Sequence, residues 1–162
     1  MSKDKCTQTN LRYLNFVYNK FEGMSVRVKR FPARGLGLQA QEDIPKGRVV
    51  AYYRTKLVPY TEKCFNYQVE NPKGKSRVLD IEQFGLVKRG IPYVAAFSNE
   101  PNPGVERNCE LWDVDKIPKK GYRDYKLKTV RDVSKGEELT WCYAKDYPRS
   151  YKTGCSKKNF EK

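Results

Sequence analysis

Val133-Ser-Lys-Gly-Glu-Glu-Leu-Thr-Trp-Cys-Tyr143 is the stretch on which the reading of this chain turns. Its first half is a polar Lys-Gly-Glu turn, in which glycine supplies the backbone freedom that a tight reversal needs. Its second half, Leu139-Thr-Trp-Cys-Tyr143, has the β-branched and aromatic content of a short strand. A tyrosine at a strand end can line a narrow channel and aim its hydroxyl at a reacting atom. Far upstream, Ile44-Pro-Lys-Gly-Arg-Val-Val-Ala-Tyr-Tyr53 repeats the same order of turn, strand and terminal tyrosine.

Working outward, Val26 and Val28 alternate with basic residues. Further strands are predicted at Leu38–Gln41, Val49–Tyr53, Phe65–Val69, Val78–Ile81, Tyr93–Phe97, Cys109–Val114, Tyr125–Val130 and Leu139–Tyr143. Glycine and proline punctuate them. Many short strands at this spacing predict a mainly β domain with few short helices. Leu11, Leu14, Val17, Tyr18 and Phe21 recur at helical spacing, with Asn10 as N-cap and Gly23 as stop, so residues 1–23 are expected to form a helical extension, the alternative being a coil that orders against the domain. The domain proper is placed at 24–147. The basic polar tail 148–162 is expected to order on binding.

Composition removes whole classes of chemistry. The chain has 162 residues, enough for one domain. It has no histidine, which excludes Ser-His and Cys-His nucleophiles and His-ligated metals. Five cysteines are scattered, odd in number and never in a Cys-x-x-Cys pair, so neither a disulfide framework nor a metal site is expected. There is no apolar run long enough to span a membrane and no secretion-type N-terminal segment, so a soluble intracellular protein is expected. Thirty-three Lys and Arg against 19 Asp and Glu give +14, which favours an anionic partner such as nucleic acid.

Two further segments complete the constellation. Arg34-Gly-Leu-Gly-Leu38 allows close approach of backbone to a ligand, although alone it reads equally as a turn. Tyr93-Val-Ala-Ala-Phe-Ser-Asn-Glu-Pro-Asn-Pro-Gly-Val-Glu-Arg-Asn-Cys109 carries Asn99 and Asn108 on either side of a Pro/Gly loop. In this order the segments resemble the SET-domain protein-lysine methyltransferases over about residues 26–147, most of all the compact SET proteins of large DNA viruses and microbes. The resemblance implies a β-clip type fold of several small sheets with a pseudoknot, an exception to unknotted topology. It implies S-adenosyl-L-methionine as cofactor, held by Arg34, Gly35, Leu36, Gly37, Asn99, Asn108 and Tyr147. It implies a catalytic channel of Tyr143, Tyr53 and Trp141, the last tuning how many methyl groups are added. The partners implied are a protein lysine, a histone tail foremost, and nucleosomal DNA at the basic surface, in the nucleus or on chromatin.

The chain also departs from the family. A longer loop without histidine replaces the usual Asn-His-Ser-Cys-x-Pro-Asn, and Thr55 stands where a glycine is usual. One alternative is therefore a catalytically inactive SET-like module that binds chromatin or nucleic acid, and a second is a generic basic nucleic-acid-binding β-domain with no cofactor. The chemistry itself needs no histidine: methyl transfer to an amine is an in-line displacement in which alignment dominates. Only roughly one lysine in a few thousand is neutral at pH 7, and a dry aromatic channel favours that neutral form.

Overall fold

The alternation after Gly23 produces a hairpin. The computed structural model, which describes residues 23–59, 68–70, 75–143 and 149–160, pairs β1 (Val26–Phe31) antiparallel with β2 (Gly35–Ala40). Val26, Val28 and Leu38 turn to one face and are at most 2% exposed, whereas Arg27 faces water. Each such apolar side chain contributes roughly 1.5–3 kcal/mol. The helix placed at residues 10–22 and Tyr147 lie outside the described residues.

A second sheet is built on the long strand β3 (Val49–Pro59). With β4 (Gln68–Glu70), β5 (Lys75–Leu79), β8 (Cys109–Asp113) and β9 (Tyr122–Thr129) it forms the antiparallel order β4-β5-β3-β9-β8. A small hairpin, β6 (Val87–Lys88) with β7 (Ile91–Pro92), lies between them in sequence, and β10 (Glu138–Leu139) joins the free edge of β2. Among the described residues the helical content is three 3-10 turns, at Ile81–Gly85, Ala95–Phe97 and Lys157–Phe160. Among the described residues no helix is long and apolar enough to cross a membrane. The core joins both sheets through Leu38, Ala51, Val94, Leu127, Val133 and Leu139. The mainly β architecture of small sheets is the one predicted.

The two echoing turns are fastened to each other. Ile44 and Val133 exchange backbone hydrogen bonds of 2.8 Å in both directions. The Asp132 carboxylate accepts the Lys46 N–H, and the Asp43 carboxylate accepts the Lys135 N–H, both at 2.8 Å. Gly47 N–H donates to Thr129 O, and Gly136 N–H to Ala40 O. Both glycines sit at positive φ (87° and 93°), where other residues are strained. Glu137 closes the second turn on the Ser134 N–H. Burial works against its charge, but that N–H and Arg131 outweigh burial and hold its carboxyl below the usual range. The repeated Asp-x-x-Lys-Gly is thus a near-symmetric bracket that sets where the two following segments start.

Three predicted elements come out differently. Tyr93–Phe97 is not a strand: Val94 and Ala95 are both buried, and the chain folds into a turn through Phe97 N–H to Val94 O and Ser98 N–H to Ala95 O. Consecutive buried residues carry no period-2 signal, so the apolar run was ambiguous. Leu139–Tyr143 pairs with β2 only at Glu138 and Leu139. From Thr140 onward its partners lie on other segments: Cys109 N–H donates to Thr140 O, and Trp141 N–H to Asn99 O. The segment is gripped from several sides, which is the threaded arrangement expected of a pseudoknot. Finally, the tail segment 149–160 folds back on the loop after Asn99, with Gly154 N–H donating to Pro101 O at 2.9 Å.

Candidate active site

The short strand β10 is held by asparagines. The Asn108 amide donates to Glu138 O and accepts the Thr140 N–H, both at 2.8 Å, and the residue is 2% exposed. Both ends of this amide are committed to backbone, so Asn108 acts as a fastener of β10 rather than as a free ligand-binding group. Asn99 donates to Leu36 O at 2.9 Å and to the Glu138 carboxylate at 3.0 Å. Arg34 pairs with Glu138 at 3.5 Å and also donates to Glu100 O. Arg34, Asn108, Glu138 and Thr140 line a cleft of about 190 Å³ together with Pro101 and Val105.

Gly37 lies against this cluster. A Cβ on it would stand 2.7 Å from the Glu138 carboxylate and 2.8 Å from the Asn99 amide nitrogen. The close approach, not a special φ, is what requires glycine here. Gly37→Ala should displace the Asn99–Glu138 pair and destabilise the protein by about 1 kcal/mol, comparable to one hydrogen bond. Thermal unfolding of the variant checks it, and an unchanged Tm would show that the close approach at Gly37 is not needed.

Tyr143 stands at the far end of the same segment. Its hydroxyl donates to Ser98 O at 2.7 Å, and its ring lies edge-on to Trp141 at 4.9 Å between centroids. The Trp141 indole N–H is buried without an acceptor among the described residues. Tyr53 is 9% exposed and meets the Tyr125 ring edge-on at 6.2 Å. Thr55, two residues on, is fully buried and its hydroxyl donates to Arg123 O at 3.0 Å, so the side chain that replaces a glycine is accommodated and satisfied.

The backbone of Tyr143 is clamped by residues that sequence reasoning missed. Glu100, whose side chain is fully buried, accepts the Tyr143 N–H at 2.8 Å. Arg149 reaches the same carboxylate through two nitrogens at 2.7 and 2.8 Å and also donates to Tyr143 O at 3.3 Å. The Tyr151 hydroxyl donates to it as well. Cys142 and Cys155 are joined by a disulfide with Cα atoms 5.8 Å apart, a correction to the expectation of no disulfide framework. The spacing gave no hint because the pairing depends on the tail folding back. Glu100 and both sulfurs lie within 4.8 Å of one another, but the carboxylate is taken by Arg149 and the sulfurs by each other. Cys109 is a free, buried thiol whose pKa burial pushes up to about 12, so it is inert near neutrality.

A family model for the SET domain matches residues 35–144. The chain belongs to the SET-domain family. No curated protein sequence matches it. Among solved structures, it is similar to a candidate histone methyltransferase of Plasmodium falciparum, with a TM-score of 0.51 at 14% identity, covering 76% of this chain and 96% of that one. This likeness supports the SET fold. Within it, Arg34 to Gly37, Asn99, Trp141 and Tyr143 come together around the segment 138–143, while Asn108 serves the threading of that segment. The signal that could have revealed Glu100 is its place directly after Asn99, where the SET motif carries histidine.

Proposed function

We propose that this SET-domain protein transfers a methyl group from S-adenosyl-L-methionine to the side-chain amine of a protein lysine. The observation that carries the reading is the Tyr143 hydroxyl, held to Ser98 O beside Trp141 and one short segment away from the Gly37 cluster. The residues present fit an amino-acid-bearing cofactor: Arg34 suits a carboxylate, and Glu138 suits an ammonium. When bound, the cofactor supplies an electrophilic methyl on a sulfonium.

Residues of the chain do the rest. Tyr143 commits its proton to Ser98, so its oxygen faces an incoming amine with lone pairs only. It can accept an N–H of the neutral amine and thereby aim the nitrogen lone pair. Trp141 and Tyr53 supply apolar walls that disfavour the charged ammonium by desolvation. The substrate class we favour is a histone tail or another chromatin-associated protein, met in the nucleus, with nucleosomal DNA offsetting the repulsion between two basic proteins.

One observation favours a non-catalytic reading: Glu100 replaces histidine and ties the motif to Arg149 instead. Incubation with radiolabelled S-adenosyl-L-methionine and, separately, each core histone, nucleosomes and a cell lysate distinguishes the two. Label on a lysine, located by mass spectrometry, is the expected outcome. No transfer to any sample, with no measurable cofactor affinity, would establish the non-catalytic reading.

A further inference from the structure

The outer face of the five-stranded sheet is built unlike its inner face. Residues directly opposite one another in an antiparallel ladder share a face. Trp112 on β8 is paired with Lys126 on β9, which is in turn paired with Tyr52 on β3. The next position carries Lys128, opposite Glu110. Tyr125 and Leu127, the alternate residues of β9, are buried in the core, so Lys126 and Lys128 point the other way. At one side stands the β6–β7 hairpin, whose Lys88 ammonium lies 5.7 Å from the centre of the Tyr52 ring. At the other is the edge strand β8, whose Trp112 is 51% exposed.

The acidic groups on this face are already neutralised. Asp124 holds Arg54 at 2.8 Å and accepts from the Tyr93 hydroxyl, and Glu110 holds Arg107 at 2.7 Å. Lys88, Lys126 and Lys128 have no acidic partner within ion-pair distance among the described residues. What remains is a row of aromatic rings interleaved with unneutralised cations on a twisted sheet. Lysines alone would suit any polyanion. An exposed indole and a tyrosine flanking a lysine suit a polyanion that also offers flat apolar faces.

We propose that this face, centred on Trp112, Lys126 and Tyr52, binds single-stranded nucleic acid. Phosphates meet Lys88, Lys126 and Lys128, and unpaired bases stack on the exposed Trp112, beside the Tyr52 ring, which itself packs against Tyr93 at 5.2 Å between centroids. A duplex keeps its base faces covered by stacking and can use only the lysines. This inference is independent of methyl transfer, because it uses no residue of the segment 138–143.

Fluorescence anisotropy with labelled oligothymidylate, oligouridylate and a duplex of equal length, over a salt series, tests it on the full chain. Trp112→Ala should weaken both single strands by about tenfold, and Trp112→Phe, which keeps a ring, should recover most of that loss. Lys126→Glu should lower the salt slope by about one or more, whereas Lys135→Glu, the same charge change on the turn bracket, should alter it less. Preference between the two single strands, in either direction, supports the proposal and identifies whether RNA or DNA is the natural source. The proposal is overturned if Trp112→Ala binds like the parent, if Lys135→Glu weakens binding as much as Lys126→Glu, or if the duplex binds as tightly as the single strands.

Discussion

Tyr143→Phe should lower turnover by about 10²–10³-fold while changing cofactor affinity by less than about threefold, the pattern of a group that acts on the reacting atoms. The substitution removes one oxygen. The ring, its edge-on contact with Trp141 and the clamp on its backbone by Glu100 and Arg149 do not depend on that oxygen. The lost hydrogen bond to Ser98 O costs about 1 kcal/mol of stability, a few degrees in Tm for a chain of this size. A large loss of turnover with a small loss of stability therefore separates a catalytic role from a structural one. Steady-state kinetics with calorimetric cofactor binding reads both. Turnover equal to the parent's would remove Tyr143 from the chemistry.

The parts of this site that were legible in the sequence are those set by local grammar. The two turn-and-strand segments announced themselves through Lys-Gly, because a reversal at that point needs positive φ at the glycine, and Gly47 and Gly136 adopt it. What no local pattern could reveal is that the turns bind each other, since the Asp43–Lys135 and Asp132–Lys46 bonds join residues far apart in sequence. Asn99 and Asn108 were visible as amides near a loop. Their division of labour follows from where β10 passes between them, and only the threaded topology decides that. The Arg54–Asp124–Tyr93 network, in which burial and the Asp124 hydrogen bond push the Tyr93 hydroxyl up to about 12, was hidden for the same reason. Composition reads the basic polar tail as solvated, whereas the buried Glu100 carboxylate, remote in sequence, gives Arg149 of the tail a place to dock.

That carboxylate is the second place where a large effect is expected. Glu100→Ala should destabilise the protein by about 3 kcal/mol, on the order of 10 °C in Tm, because it leaves the Arg149 guanidinium and the Tyr143 N–H without the acceptor they share. Arg149 is 15% exposed, so part of its charge can be rehydrated if the tail lifts away, which keeps the expected loss at the lower end for a broken buried pair. The Cys142–Cys155 bridge limits that movement. Reducing it should therefore free the tail in the variant far more than in the parent. The decisive comparison is a double-mutant cycle: Glu100→Ala combined with Arg149→Met should be less destabilising than the sum of the two single changes, since removing the second charge relieves what the first exposed. Thermal unfolding of the four proteins, with and without reductant, gives the coupling. Additive losses would mean that Glu100 and Arg149 act separately. A single Glu100→Ala variant as stable as the parent would mean that the buried carboxylate does not hold Tyr143 in place.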